Sequence, residues 1–252
     1  MSEPGVSLEH SHEPEAIRRR LAADSRPSYL RDAILGGIDG CVTTFAVVAS
    51  VAGAGMPGLV AFVLGLASLV ADGFSMAVSN YQGVKSDQEA LGRAQRQEER
   101  HIREAPDGER REIREIFRRK GFEGEVLERV VETITGDRQL WIDTMLREEL
   151  GHQLHGPRPL AAGAVTFLAF VAVGFLPLLP FLLPFLAGGE YFATSAGITA
   201  VTFFAIGYAK GVMLAMPRLR AGLETLLMGG GAAVIAYAVG LALEPLVGGA
   251  VG

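Results

Sequence analysis

Charged and uncharged stretches alternate along this chain in long blocks. Gly40 to Ala71 carries no charge over 32 residues, and its one break, Gly53-Ala54-Gly55-Met56-Pro57-Gly58, reads as a turn. Gly73 to Val84 is again uncharged, Pro159 to Gly189 runs 31 residues without charge, and Tyr191 to Ala209 and Thr225 to Leu243 run 19 each. A helix needs ~20 mostly apolar residues to cross a bilayer. The pattern therefore predicts five spans: Ala33–Ala54, Pro57–Val84, Leu160–Leu186, Tyr191–Met213 and Leu223–Leu243. Pro177, Pro180 and Pro184 late in the third span predict a kinked or broken end, whose freed backbone must be buried or face water.

The chain divides accordingly into an N-terminal segment (1–32), spans one and two (33–84), a polar insert (85–158) and spans three to five (159–247). The insert reads as helical. One helix runs straight out of span two from Lys85 to Ala105, and Pro106-Asp107-Gly108 breaks it. Asp107 suits the cap of a second helix reaching Lys120, with Gly121 at its end. Two more follow, about Glu123–Thr135 and Asp137–Leu150, ended by Gly136 and Gly151. The insert's apolar residues suffice for one thin core.

Composition narrows the class. Hydrophobic residues make up 49% of the chain and charged residues 20%, with mean hydropathy +0.29. A chain this apolar does not stay disordered. Cys41 is the only cysteine, so no intrachain disulfide forms. A net charge of −5 gives no basic footprint for nucleic acid. Of the 23 Lys and Arg, five lie in residues 1–31, fifteen in residues 85–158 and three between the last two spans. That bias predicts a cytoplasmic N-terminus, a cytoplasmic insert and an outside C-terminus. The segment before Asp32 has no apolar centre and does not read as a signal peptide, which favours a bacterial inner membrane. His10, His12, Glu13 and Glu15 sit in what reads as a disordered polar tail.

Two patterns carry candidate chemistry. Asp39 and Asp72 fall inside spans one and two, where an ionisable side chain costs ~2.5–3.5 kcal/mol and usually faces a cavity or a partner. Ser68, Asp72 and Met76 are four apart and share a face, continuing to Asn80. In the insert, Glu98 with His101, Glu109 with Glu112, Glu112 with Glu115, and Met145 with Glu148 and Glu149 recur at helix-face spacing. Oxygen ligands joined by a histidine or thioether suit Fe²⁺, Mn²⁺ or related ions. A solvated face of alternating ion pairs is the competing reading.

The first two spans resemble the vacuolar iron transporter family. The resemblance rests on Arg31-Asp32, Gly36-Gly37-Ile38-Asp39-Gly40, Gly65-Leu66-Ala67, Ser75-Met76, Tyr81 and Val84-Lys85-Ser86. The acidic insert closing with Arg147-Glu148-Glu149-Leu150 is similar too, and the likeness covers roughly residues 28–245. It implies an all-α membrane protein of five transmembrane helices, with a cytoplasmic helical metal-binding insert between spans two and three. It further implies a homodimer that exports Fe²⁺ or Mn²⁺ from the cytoplasm in exchange for protons, with no resident cofactor.

Carried over by position, Asp39 and Met76 resemble the family's membrane ligands. Glu98, Glu109, Glu112, Glu149 and Met145 resemble those of the insert. Ser68, Asn80 and His101 stand where the family often has glutamate. His101 keeps a ligand type, and Asp72, one turn from Ser68, is read as the displaced carboxylate. The alternative is a membrane-anchored metal buffer or sensor. An enzyme is not expected: no nucleotide loop is present, and no pair of Glu-x-x-His motifs on two helices is read.

Overall fold

A computed structural model describes residues 11–22, 27–182 and 190–248, and among them there is helix and no strand. The helices are α1 (Pro14–Ala22), α2 (Leu30–Gly53), α3 (Gly58–Glu104), α4 (Pro106–Arg119), α5 (Gly124–Gly136), α6 (Arg138–Glu148), α7 (Pro159–Gly174), α8 (Glu190–Met213) and α9 (Arg218–Gly248), with a 3-10 segment at Leu176–Leu182. Four are long and apolar enough to cross a membrane, and five if α7 and the 3-10 segment count as one bent span.

The bend is 43° and falls where the prolines predict it. Pro177 and Pro180 are buried there, and Ser195 Oγ on α8 donates to the Pro177 carbonyl at 2.7 Å. That bond satisfies a carbonyl the broken helix leaves free. Pro184, the end of the expected third span at Leu186, His10 and the C-terminal Gly252 lie outside the described residues.

Most of the spacing holds, with local corrections. α2 and α3 are joined by a tight turn in which Gly55 takes φ +66°, a conformation that suits glycine. α3 then runs unbroken for 47 residues, as the continuous helical pattern through Lys85 predicts. Part of the tail expected to be disordered, Pro14–Ala22 with Glu15, forms α1, whereas His12 and Glu13 precede that helix. α8 begins at Glu190, one residue before the expected start of that span at Tyr191. Asp107 is not a cap: Pro106 already opens α4 and Ala105 occupies the cap position. Asp137 does cap, its Oδ1 accepting from the N–H groups of Gln139 and Leu140.

α2 is the central helix, packed against α3, α7, α8 and α9. Its contact with α7 works through missing side chains. A Cβ on Gly36 would strike the Thr166 carbonyl, and one on Gly40 the Phe170 carbonyl. Small residues are what bring helix backbones this close in a bilayer. The core around α2 comprises Phe45, Val48, Leu69, Phe170 and Leu178. The insert has its own core of Ile113, Leu127, Val131, Ile134, Trp141 and Met145, closed onto the far end of α3 through Ile102.

Candidate functional site

α3 carries ligand-type residues at two levels. Near its end, Glu98 and His101 lie one turn apart, and α4 folds back so that Glu109 meets them. Donor atoms of Glu98, His101 and Glu109 all lie within 4.8 Å of one another, with His101 Nδ1 3.4 Å from Glu109 Oε1. Glu98 and Glu109 are 3% and 4% exposed, and one oxygen of each has no hydrogen-bond partner among the described residues. Burying carboxylate oxygens without partners is costly, and a buried carboxylate cluster of this kind is a candidate functional site.

Electrostatics follow from this crowding. Burial is the largest cause that pushes the Glu109 carboxyl up to about 7, reinforced by Glu112, Glu98 and Glu149. Glu98 is also raised, by burial first, with His101 opposing and Glu112 adding. Glu149 is raised by burial, then by Glu112 and Glu98. Glu112 and Glu149 therefore stand within electrostatic reach of the buried pair, completing a four-glutamate, one-histidine group from α3, α4 and the end of α6.

The ion-pair reading holds for different glutamates. Glu115 bonds Arg118 and Arg119, and Glu148 bonds Lys120 at 2.5 Å. Met145, expected as a thioether ligand, is fully buried in the insert's apolar core with Ile113 and Trp141. A second Glu-x-x-His spacing exists, Glu149 to His152, but it starts at the C-cap of α6 and runs into a loop. It therefore does not present a second helix-borne pair.

At the membrane level, Asp39 on α2 and Met76 on α3 are half-buried and line one cavity of about 750 Å³. Asp72 is exposed on α3, accepts a hydrogen bond from Ser68 Oγ, and is near enough to Asp39 to interact electrostatically. Asn80 leaves this group. Its Nδ2 donates to Asp32 and Thr166, toward α2 and α7. Two cations that sequence reading did not place here, Arg31 and Lys210, line the Asp39 cavity. They are far apart in the chain, so spacing alone gave no signal.

Residues 30–241 match the profile of the VIT family. The chain belongs to the VIT family. Among curated proteins it is 35% identical over 158 residues to vacuolar iron transporter 1 of Tulipa gesneriana, covering 62% of this chain and 64% of that protein. It is 32% identical over 183 residues to vacuolar iron transporter 1 of Oryza sativa subsp. japonica, covering 72% and 70%. With the vacuolar iron transporter of Toxoplasma gondii it shares 30% over 179 residues, covering 70% and 59%. The chain thus spans about two thirds of the length of these relatives. The likeness to VIT proteins covers α2 to α9 and contains both groups of ligand-type residues.

Proposed function

We propose that this VIT-family chain moves a divalent transition metal, Fe²⁺ or Mn²⁺, out of the cytoplasm in exchange for protons. The observation that carries the reading is the convergence of Glu98, His101 and Glu109, two of them buried with unpaired oxygens, at the end of a helix whose membrane part presents Asp72 and Met76. The insert carboxylates with His101 take up the ion, and binding displaces the protons that burial keeps on them. Asp39, Asp72 and Met76 then hold the partly dehydrated ion at membrane depth. Hard oxygen ligands with one imidazole or thioether suit Fe²⁺ and Mn²⁺. Protonation of a membrane carboxylate on the far side releases the ion and returns the site.

The working unit is a homodimer in a bacterial inner membrane, with the N-terminus and insert cytoplasmic. The distribution of Lys and Arg supports that orientation. The apolar side chains left exposed on α3, such as Val63, Val70 and Phe74, support a second copy or lipid against that helix. A buffer or sensor needs no carboxylates at membrane depth, so Asp39 and Asp72 favour transport over storage. The chain acts as a transporter and not as an enzyme, in keeping with its family. Uptake of Mn²⁺ or Fe²⁺ by purified protein in liposomes, with and without a pH gradient, tests this. Metal uptake that ignores the gradient removes proton exchange, and no uptake leaves the buffer reading.

A further inference from the structure

We propose that α1 lies flat on an anionic phospholipid surface just ahead of the first span. Its residues are arranged for an interface. At about 100° per residue, Pro14, Ile17 and Leu21 fall within about 60° of one another and form an apolar stripe. Leu21 is 78% exposed. Arg18 and Arg20 stand on either side of that stripe, each about 80° from its centre. Glu15 is the one acidic residue of α1, and it lies on the opposite face with Arg19. The two pair there at 3.4 Å, both exposed. The pair leaves Arg18 and Arg20, which edge the stripe, without a carboxylate on their side of the helix.

The place of α1 in the chain says what that face meets. Among the described residues, α1 makes no sustained contact with another helix. Seven residues, 23–29, separate its end at Ala22 from Leu30, where α2 begins, and they reach at most ~25 Å. α2 is one of the helices long and apolar enough to cross a membrane, so α1 is tethered beside the bilayer surface. The sequence from residue 18 to residue 31 holds five arginines and a single acidic residue, Asp24. A basic cluster next to a span attracts anionic headgroups.

Anionic phospholipid fits this arrangement on both counts. The stripe sinks to the boundary between headgroups and acyl chains, as in other interfacial helices. The arginine stems lie along the apolar layer while their guanidinium forks bond lipid phosphates. Three apolar side chains offer too little area to hold nine residues on a neutral surface, so the charge decides and the surface is an anionic one. The tether helps by keeping the helix at high local concentration beside that surface. The proposal requires only that α2 spans a bilayer, and it does not rest on metal transport.

The test places an environment-sensitive dye on the full chain in lipid nanodiscs, at Leu21→Cys on the stripe or at Glu15→Cys on the opposite face. Cys41, the one native cysteine, is fully buried, and the parent chain treated alike supplies the blank. The nanodiscs contain either phosphatidylcholine alone or phosphatidylcholine with phosphatidylglycerol. The expected result is a blue shift of the Leu21→Cys label in the anionic discs and none in the neutral ones, with the Glu15→Cys label unmoved in both. Arg18→Gln with Arg20→Gln should abolish the shift, as should salt at about 1 M, where screening acts within ~3 Å. Both arginines are exposed, so the double variant should keep the parent's thermal unfolding. The same emission from the Leu21→Cys label in neutral and anionic discs overturns the proposal, whether α1 then rests on the acidic insert or stays in water. Equal shifts at both label positions overturn it too, since they would show diffuse attraction of a tail and not an oriented helix. A shift that survives the loss of both arginines does the same.

Discussion

Asn80 Nδ2 on α3 donates to Asp32 Oδ1 on α2 at 2.9 Å. The same amide donates to Thr166 Oγ1 on α7 at 2.8 Å, and Asp32 is 7% exposed. One side chain thus joins three helices at one end of the bundle, two turns before Asp39. The stripe Ser68, Asp72, Met76 does not continue to Asn80. Each four-residue step along a helix drifts by about 40°, so by Asn80 the stripe has turned about 120° from Ser68. Where α3 still carries ligand-type residues, this drift has moved Asn80 from the open face to the packed one.

Asn80→Asp should therefore destabilise the bundle. It would set one carboxylate against another where an amide now donates, leaving a buried acceptor unsatisfied at ~1–3 kcal/mol. The double change Asp32→Asn with Asn80→Asp restores a donor and an acceptor and should recover most of the loss. Thermal unfolding of the solubilised protein reads both. A single variant as stable as the parent would show that the bond carries no weight.

The buried glutamates predict a dependence on pH. Glu109 has an ordinary value of 4.5 and is pushed up to about 7, so the fold binds its proton more tightly than the unfolded chain does. The stability this proton confers is fully present below about 4.5 and is lost as pH rises through about 7. The metal-free insert should thus melt at a lower temperature at pH 8 than at pH 5.5. Metal affinity should move the opposite way, gaining up to roughly tenfold per pH unit below 7 for each proton displaced. Mn²⁺ calorimetry at several pH values measures this, and a flat profile would contradict the proton-loaded pair.

How much was legible beforehand depends on the range of each signal. The unbroken α3 and the proline bend follow from local composition and period and appear in the fold, as do four of the five spans outright and the third as a bent pair. The glutamate group was half legible. Spacing put Glu98 with His101 and Glu109 with Glu112, but Glu115 has the same spacing and goes to Arg118 and Arg119 instead. Burial singles out Glu98 and Glu109, and burial depends on how α4 folds back on α3, which no period reveals. Met145 sits at ligand spacing and also fills the insert's apolar core, which spacing alone does not reveal. Lys210 reaches the Asp39 cavity across 171 residues of sequence, a contact set by tertiary packing alone.

That separation gives a paired experiment. Glu109→Ala with Glu112→Ala should weaken Mn²⁺ binding by the full chain by tenfold or more in order of magnitude, as expected when carboxylate ligands are removed. Glu115→Ala should leave it unchanged, because Glu115 is exposed to its arginines and stands outside the group. Helix content should hold in both variants. Equal weakening by Glu115→Ala would return the whole acidic face to a diffuse electrostatic role.

The membrane carboxylate offers the sharpest test. Ser68 stands where the family often has glutamate, and its hydroxyl donates to Asp72 four residues on. Asp72 also lies within electrostatic reach of Asp39. Four residues turn a helix through about 400° and advance it about 6 Å, so a carboxylate can shift by one turn and stay on the same face. If Asp72 has taken over the role, Asp72→Asn should abolish proton-coupled uptake in liposomes, since an amide keeps the shape but neither binds nor releases a proton. Ser68→Glu added to Asp72→Asn should restore part of the activity by returning a carboxylate one turn away. A structural Asp72 predicts the reverse: Asp72→Asn would be nearly silent, because removing a charge from the bilayer lowers an insertion cost. Full uptake by Asp72→Asn would leave Asp39 to carry the coupling without it, and failure of Ser68→Glu to rescue would mean that the position, and not only the charge, matters.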